Sequence, residues 1–464
     1  MELGKPIVGV VLTMLELYRR TDPERPAKYA SHWQGVLEEL MGEWATLRFT
    51  GVSHTAEEVE AAVHACEDAD CDMLVVLPMS YAPSGAAMDA LTDTSLPLVL
   101  VDTARDATLP YDMGDDHIMA NHAMHGVQDL ANVLGRNERD FELVVGHPSE
   151  EEFRQALLRT VRASAGARVF RKGQVGRIGQ PFEDMLDFHP GEEFENSFDL
   201  EVAAIDPDEL LEGAQVVTAQ RISDVTRWVR DRFAVDAGLT SAELEMSVRW
   251  SLALEDLVER RELDAVSMNF LELAAAGAGT MPFLGASRLM SEGVGYAGEG
   301  DVVTAALMAA MAGAAGEATF TEMFCPDYAR SEVLLSHMGE CNFALARPDR
   351  PVRLVAKPFV FGDCARPAVP VFQLKPGLVT LASFTQWPYD GYRIVATTAE
   401  VLDAPEHPNL RSPHTRIGFG RALPGFLEDY SRAGGTHHLA LAYGDLIGEL
   451  NTLAGFLDIG LATV

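Results

Sequence analysis

Four side chains that commonly bind metal ions stand in motifs rich in small residues in the second half of the 464-residue chain. They are Glu299 in GYAGEGD, Glu322 in ATFTEMFCPDY, His337 in VLLSHMGECN and His438 in RAGGTHHLALAYGD. Two carboxylates and two imidazoles suit a divalent cation such as Mn²⁺, Co²⁺ or Mg²⁺ that keeps positions open for substrate oxygens. The set contains no thiolate, which disfavours a structural zinc site. Each residue alone also fits a plainer role as a turn glutamate, a core histidine or, for His437 and His438, a loop pair with one ring pointing inward.

The first third of the chain alternates between strand-like and helix-like patterns. Short runs rich in Val and Leu, such as PIVGVVLTM (6–14) and DMLVVLPM (72–79), are typical of strands buried on both faces of a parallel sheet. Between such runs lie helical segments, among them TAEEVEAAVHACEDA (55–69), in which Thr55 and Glu58 have the spacing of a capping box. This alternation, with its short connections, predicts a doubly wound α/β domain over residues 1–149.

A second α/β domain is predicted over residues 150–316 and a β-rich domain over residues 317–464. The second domain contains the strand FDLEVAAI (198–205) and the long helix TSAELEMSVRWSLALEDLVERREL (240–263). In the third, strands such as VRLVAKPFVF (352–361) are separated by Gly and Pro turns without a long helix, a pattern typical of an antiparallel sheet or barrel. The predicted fold class is therefore α/β, with two doubly wound (Rossmann-like) domains followed by a β-rich, barrel-like C-terminal domain with terminal helices.

The composition excludes several classes of function. The chain has 70 acidic and 36 basic residues and a formal net charge of −34, which opposes binding to nucleic acid and to anionic membrane surfaces. Its longest apolar stretch, near TAALMAAMAGAAG, is too short for a membrane span, and the start MELGKPIVGVV is unlike a signal peptide. The five cysteines form no C-x-x-C pair, so neither a disulfide framework nor a zinc ribbon is indicated. We therefore expect a cytoplasmic protein that binds a small molecule, with no nucleic-acid or membrane partner.

The order of the four motifs carries a family resemblance. GEGDVVTAALMAAM, TFTEMF, LLSHMGEC and GGTHHLAL, in that order, resemble the signature series of the L-arabinose isomerase family, whose wider group includes the L-fucose isomerases. Four further segments resemble the family in order: ELYRRTDPE (16–24), LPMSYAPSGAAM (77–88), NHAMHG (121–126) and GRIGQPFEDM (176–185). The resemblance implies a metal-dependent aldose–ketose isomerase that acts on a pentose, hexose or deoxysugar through an enediolate.

The same resemblance assigns roles to the four metal-binding candidates. It implies that Glu299, Glu322, His337 and His438 bind a catalytic divalent ion, usually Mn²⁺, and that the two glutamates also act as the acid/base pair. The chemistry supports this set, because a metal can bind two adjacent sugar oxygens and stabilise enediolate charge. Carboxylates beside the metal can then take up and return protons.

The resemblance also implies a sugar pocket and an oligomer. The residues that match the family's pocket lining are Tyr18, Tyr81, His125, Met185 and Met338. In the family, first-domain residues reach the active site of a neighbouring subunit in a hexamer, so the resemblance implies a homo-oligomer here, in which Tyr18, Tyr81 and His125 act on a neighbour's site.

The sequence departs from the family pattern close to Glu322. Met323 replaces an acidic residue, and FCPDY replaces an aromatic–histidine run. These changes leave the metal set intact but alter the walls around it, so the identity of the sugar stays open, and Asp327 is a rival for the place of Glu322. Two other functions also stay open: a sugar epimerase that uses the same metal site, and a non-catalytic sugar-binding or regulatory protein on the same scaffold.

Overall fold

A computed structural model describes residues 4–189, 191, 194–389 and 391–464 of the chain. The chain divides into two compact units, a first unit of residues 4–168 and 451–458 and a second unit of residues 169–450 and 459–464. In the described residues, every helix is too short or too polar to cross a lipid bilayer. The division into three domains at 149/150 and 316/317 stays a prediction.

The first unit is built on a five-stranded parallel sheet with the strand order β2-β1-β3-β4-β5. Its strands are β1 (Ile7–Thr13), β2 (Thr46–Ser53), β3 (Met73–Pro78), β4 (Leu98–Asp102) and β5 (Glu142–Val145). Its helices are α1 (Glu16–Thr21), α2 (Arg25–Met41), α3 (Ala56–Asp68), α4 (Met88–Asp93), α5 (Asp115–Ala120), α6 (Met124–Arg136) and α7 (Glu151–Lys172).

The strand β3 shows why the sequence folds into a sheet covered on both faces. All six of its residues are buried, and residues 73–77 alternate between two hydrophobic cores. Val75 packs in the core that contains Trp33 of α2, whereas Leu74 packs in the core that contains Val63 of α3. Because successive side chains of a strand point to opposite faces, a continuous apolar run requires helices on both sides. The predicted doubly wound arrangement is confirmed.

A polar contact in the first unit gives a prediction for acid stability. Asp106 accepts two hydrogen bonds from Arg105 (3.1 and 2.8 Å) and one from the Asn121 side chain (2.8 Å), and these contacts hold the pKa of Asp106 down to about 2. A carboxylate with a lowered pKa stabilises the fold above its unfolded pKa of roughly 3.9, and this contribution disappears as the pH falls through the folded value. We expect Asp106→Asn to lower the free energy of unfolding by about 1 kcal/mol at pH 7, since the pair is partly solvated.

This stability difference should shrink between roughly pH 4 and pH 2, where the wild-type carboxylate becomes protonated. Urea unfolding of both proteins across this pH range is the measurement, with Asp112→Asn, an exposed position in the same loop, as the control. If the free energy of unfolding of Asp106→Asn stayed below that of the wild type by the same amount at every pH, the lowered pKa of Asp106 would not be the cause.

The second unit begins with an α/β part. Its strands are β6 (Gln174–Ile178), β7 (Glu201–Ile205), β8 (Ala234–Val235), β9 (Ala265–Met268) and β10 (Gly295–Gly298). Its helices are α8 (Phe194–Ser197), α9 (Pro207–Val216), α10 (Ala219–Arg232), α11 (Ser241–Arg260), α12 (Phe270–Ala275), α13 (Phe283–Ser291) and α14 (Val302–Ala315). Four of the strands form a parallel sheet in the order β10-β9-β6-β7. The second predicted α/β sheet is thus confirmed.

The rest of the second unit is rich in strands. They are β11 (Ala318–Asp327), β12 (Glu332–Ser336), β13 (Arg353–Ala356), β14 (Ala368–Val371), β15 (Gly377–Trp387), β16 (Gly391–Val401), β17 (His414–Gly418), β18 (His438–Tyr443) and β19 (Gly460–Thr463). The remaining helices of the chain are α15 (Leu423–Arg432) and α16 (Ile447–Leu457), and residues 451–457 of α16 belong to the first unit. The strands β13 and β14 form a small sheet with β8 of the α/β part, in the order β14-β13-β8.

Six of these strands form a closed antiparallel barrel. Their order is β15-β18-β11-β12-β17-β16, and pairing of β15 with β16 closes the ring. The short strand β19 adds to β16 in parallel outside the ring. The helix α14, buried from Val302 to Ala312, packs against β9 and β10 and against the barrel strands β11, β15 and β18. The predicted barrel-like C-terminal part is confirmed, and α14 brings the end of β10 close to the barrel.

Candidate metal centre

Glu299 stands in a tight turn between β10 and α14. Its φ of +67° lies in the left-handed region, which a residue with a Cβ rarely adopts, and Gly300 follows with φ +84°. The turn is held from both sides, because the Glu299 amide donates to the Met268 carbonyl (2.9 Å) and the Glu299 carbonyl accepts from the Phe182 amide (3.0 Å). Such strain persists only where the surroundings fix it, and it often marks a functional residue.

The barrel register brings together two of the other candidates. Glu322 on β11 lies directly opposite His438 on β18 and opposite Ser336 on β12, the residue before His337. Directly paired residues of antiparallel strands project their side chains to the same face, with Cβ atoms roughly 4.5–5.5 Å apart. The strand pairing therefore explains why residues distant in the sequence converge.

One carboxylate oxygen of Glu322 lies at the middle of the cluster. Its Oε1 is 3.1 Å from His438 Nε2, 3.6 Å from His337 Nε2 and 3.8 Å from His437 Nε2. The Oε2 of Glu299 lies 3.5 Å from the same His438 Nε2. One ligand atom from each of Glu299, Glu322, His437 and His438 falls within 4.8 Å of all the others.

The four predicted ligands do not all lie equally close to one another. Glu299, Glu322 and His438 converge in one group, and His337 lies beside it with its Nε2 facing Glu322. The fourth member of the group is His437, so both rings of the His437–His438 pair have a nitrogen near Glu322. His437 is the more exposed of the two rings, whereas His438 is fully buried.

Each of the three imidazoles donates its Nδ1 proton to a carboxylate. The pairs are His438 with Asp301 (2.8 Å), His337 with Glu340 (2.8 Å) and His437 with Asp187 (2.7 Å). Ionised carboxylates only accept hydrogen bonds, so each bond places a proton on Nδ1, and in the neutral imidazole the Nε2 lone pair then faces the cluster. Histidines that bind metals are commonly held in this way.

Burial and charge act against each other in these pairs. Burial raises the pKa of Glu340, but contacts with His337 and the Tyr296 hydroxyl have the larger effect and bring this pKa down to about 2. Burial lowers the pKa of His438, yet its contacts with Asp301, Glu299 and Glu322 raise it well above the usual value. Burial likewise raises the pKa of Glu322, and the histidines around it bring about a net lowering. Glu322 and Glu340 are therefore ionised, as Glu322 must be to bind a metal, and a bound cation would take the place of the Nε2 proton of His438.

Two atoms of the cluster show that the residues fit a cation. Glu299 Oε2 and His438 Nε2 are buried and make no hydrogen bond with any described residue. Buried polar atoms without a partner are costly, and a shared cation would satisfy both. Oxygen and imidazole donors without a thiolate suit ions such as Mn²⁺, Co²⁺ or Mg²⁺. The cluster can therefore hold a divalent metal ion.

Aromatic rings form the walls behind the histidines. The His438 ring stacks on Phe188 with centroids 4.9 Å apart and planes at 4°. Phe320 meets both His438 (4.9 Å) and His337 (4.6 Å) edge to face. These walls fix the ring orientations and exclude water from that side of the cluster, which strengthens electrostatic interactions.

Comparison with known proteins identifies the family of this chain. Family models of the L-arabinose isomerase N-terminal, central and C-terminal domains match residues 16–172, 192–317 and 317–460. The chain belongs to the L-arabinose isomerase family. The resemblance found in the sequence motifs is confirmed, and family membership supports an aldose–ketose sugar isomerase.

Curated members of the L-arabinose isomerase family match over most of their length. The L-arabinose isomerase of Klebsiella pneumoniae subsp. pneumoniae is 26% identical, over 95% of this chain and 91% of its own. That of Salmonella enteritidis PT4 is 25% identical over 98% and 94%, and that of Thermotoga neapolitana is 25% identical over 84% and 80%. A solved periplasmic solute-binding protein from Actinobacillus succinogenes with bound D-allose aligns with 66% of this chain and 91% of that one, at 13% identity and a TM-score of 0.18.

The residues expected to line the sugar pocket of an L-arabinose isomerase fall in both units. Met185 and Met338 are half-buried in the second unit, two residues before Asp187 and one after His337. Tyr18, Tyr81 and His125 belong to the first unit.

The three residues of the first unit lie in neighbouring segments. The Tyr81 and His125 rings meet edge to face, with centroids 6.4 Å apart. The amide of Leu15 donates to the Tyr81 carbonyl (2.8 Å), which places the start of α1, the helix of Tyr18, beside Tyr81. Their part in sugar binding stays a prediction.

Asp327, the rival for Glu322, is engaged elsewhere. Its Oδ2 accepts hydrogen bonds from Arg330 (2.9 Å) and Arg416 (3.0 Å) near the far end of β11. It is not among the described residues whose ligand atoms converge with Glu322. The geometry therefore favours Glu322.

Sequence reasoning missed the carboxylates that hold the histidines. Asp301 and Glu340 stand inside the quoted motifs GEGD and HMGE, so the spacing of a carboxylate two or three residues from a ligand was the available signal. Asp187 reaches His437 from 250 residues away, and no local pattern indicates that contact.

Proposed function

We propose that this protein is a metal-dependent aldose–ketose isomerase acting on a pentose, hexose or deoxysugar through an enediolate. The observation that carries the proposal is the convergence of Glu299, Glu322 and His438, with two buried unpartnered atoms, in a member of the L-arabinose isomerase family. Mn²⁺ is the proposed ion, with Co²⁺ or Mg²⁺ as alternatives.

The proposed roles follow from the positions of the side chains. Aldose-to-ketose conversion moves one proton from C2 to C1 and another from O2 to O1. A divalent ion bound by Glu299, Glu322, His438 and His337 would supply Lewis-acid stabilisation for the negative charge that develops on the sugar oxygens. One of the two glutamates takes the carbon-bound proton and returns it to the neighbouring carbon, while the other serves the hydroxyl proton.

The hydrogen bonds of the histidines support these acid/base roles for the two glutamates. His438 and His337 cannot serve as bases through Nδ1, because those atoms donate to Asp301 and Glu340. Glu299 and Glu322 are then the carboxylates left to exchange protons with a substrate. A protein that only binds a sugar has no need of two carboxylates at a cation, so the cluster favours turnover over a regulatory role.

Removal and return of metal provide the test. We expect protein stripped with a chelator to lose activity, and Mn²⁺ to restore ketose formation from at least one sugar in a panel of pentoses, hexoses and deoxysugars. Product analysis by NMR separates a ketose from an epimer, which would instead support the epimerase alternative. Binding of a sugar with no metal-dependent product from any member of the panel would contradict the isomerase and favour a binding protein.

The assembly and location complete the proposal. We propose a cytoplasmic homo-oligomer, a hexamer by family resemblance, in which Tyr18, Tyr81 and His125 contribute to the sugar pocket of a neighbouring subunit. Light scattering on the preparation used for the metal test should give a multiple of the 50.4 kDa chain mass. A monomer with full activity would contradict this part.

A further inference from the structure

Glu340 is a buried carboxylate that accepts hydrogen bonds at both of its oxygens. Its Oε2 accepts hydrogen bonds from His337 Nδ1 (2.8 Å) and from the Gly339 amide (2.8 Å). Its Oε1 accepts the hydroxyl proton of Tyr296 (2.8 Å), the only hydrogen bond to that oxygen from a described residue. Both Glu340 and Tyr296 are completely buried. Water cannot replace the hydroxyl here without a change in packing.

Tyr296 joins the two motifs that supply ligands to the cluster. It lies on β10, three residues before Glu299, and its hydroxyl crosses to the loop after β12 that carries His337 and Glu340. Its ring also meets Phe320 edge to face, with centroids 5.9 Å apart, and Phe320 contacts the His337 ring. A single side chain therefore touches both the carboxylate and the aromatic wall that orient His337.

The two-sided grip limits how the carboxylate can move. Rotation about the terminal torsion of glutamate, which is broad, would carry both oxygens away from their donors. The Tyr296 hydroxyl adds a third hydrogen bond that opposes this rotation, and it thereby helps to keep Oε2 aimed at His337 Nδ1 and His337 Nε2 directed at Glu322. Outer partners of this kind tune metal affinity by orienting the ligand ring.

We propose that Tyr296 is a positioning residue of the metal centre, acting on His337 through Glu340. This inference rests on the proposed metal-dependent function. A neutral hydrogen bond one step beyond the ligand's own partner should affect metal affinity by about 2- to 10-fold, less than the roughly 10- to 100-fold typical of a direct partner.

The test is the Mn²⁺ affinity of Tyr296→Phe, measured by titration calorimetry on the chelator-stripped full chain. We expect a dissociation constant about 2- to 10-fold higher than in the wild type, and a smaller rise in the thermal midpoint on addition of Mn²⁺. The control is Tyr443→Phe, which removes a hydroxyl on β18 that donates to the Lys375 carbonyl away from the cluster. Its Mn²⁺ affinity should match the wild type.

A second variant tests the route of the effect. If Tyr296 acts through Glu340, Tyr296→Phe should cost less affinity in a Glu340→Gln background than in the wild type, since the carboxylate it orients is gone. Equal costs in the two backgrounds would overturn the proposed route. The cycle also keeps the inference testable if one background is poorly stable, because each comparison is made within a background.

The outcomes separate this inference from the proposed function. Unchanged Mn²⁺ affinity in Tyr296→Phe, with an equal drop in the thermal midpoint of the stripped and loaded proteins, would mean that Tyr296 is only structural. Weaker Mn²⁺ binding in a protein that turns over no sugar would support the inference and overturn the isomerase. Failure of the wild type to bind any of Mn²⁺, Co²⁺ and Mg²⁺ would overturn both.

Discussion

Replacing Glu322 by Gln is expected to lower kcat/KM for the sugar by about 10³-fold or more. The Oε1 of Glu322 is the atom that all three histidine Nε2 atoms approach, between 3.1 and 3.8 Å. The amide is nearly the same size but has no charge to hold a cation and cannot take up a proton at neutral pH. The measurements are steady-state kinetics on the best sugar of the panel and Mn²⁺ titration of the same variant.

The matched control for Glu322→Gln is Asp327→Asn on the same strand. The carboxylate of Asp327 pairs with Arg330 and Arg416 instead of the cluster, and partly exposed pairs contribute only about 0–1 kcal/mol. We expect Asp327→Asn to retain kcat/KM within about 2-fold of the wild type, because it leaves every proposed ligand in place. An active Glu322→Gln together with an inactive Asp327→Asn would reverse the two roles and make Asp327 the ligand.

The sequence could predict those parts of the fold that depend on patterns of neighbouring residues. The apolar run of β3 predicted a strand buried on both faces because each of its residues must find a core. The helix α11 begins after Thr240, as the capping-box spacing indicates, with Glu243 N donating to Thr240 Oγ1 and Thr240 N donating to Glu243 Oε2. Such signals depend on a few neighbouring residues and can therefore be read without knowledge of the tertiary structure.

Other features depend on pairings that no local pattern specifies. The segment 352–361 was expected to form one strand, yet β13 ends at Ala356, and Pro358 has no amide proton to continue a ladder. The register that sets Glu322 opposite His438 is decided by the closure of the barrel and cannot be read from either strand alone.

The candidate site shows the same limit. The motif series predicted Glu299, Glu322, His337 and His438 as ligands, but alternation along a strand would let only one of His437 and His438 face inward. His437 lies just before β18 begins at His438, so it is free of that alternation, and Asp187 turns its ring toward Glu322. The contact of Tyr296 with Glu340 likewise requires the end of the parallel sheet to meet the barrel.

Replacing Asp301 by Asn is expected to weaken Mn²⁺ binding about 10- to 100-fold. Asp301 has two tasks, because its Oδ1 accepts from the Thr304 amide at the start of α14 and its Oδ2 accepts from His438 Nδ1 (both 2.8 Å). Asparagine has one acceptor oxygen. If the oxygen caps the helix, the NH₂ group faces Nδ1, and the proton of His438 must move to Nε2, where it blocks a metal ligand. If the oxygen faces His438, the cap is lost.

Helix capping can be separated from metal binding with Asp206→Asn. Asp206 caps α9 by accepting from the Asp208 amide (2.9 Å) and is not bonded to a histidine in the described structure. Asn and Asp are similarly good caps, so this control should keep both its thermal midpoint and its Mn²⁺ affinity. For Asp301→Asn we expect the thermal midpoint to fall further below that of the wild type with Mn²⁺ than without it. Thermal unfolding measures this difference, and titration calorimetry measures the Mn²⁺ affinity. Equal losses with and without Mn²⁺ would mean that Asp301 serves the helix alone and does not prepare His438 for the metal.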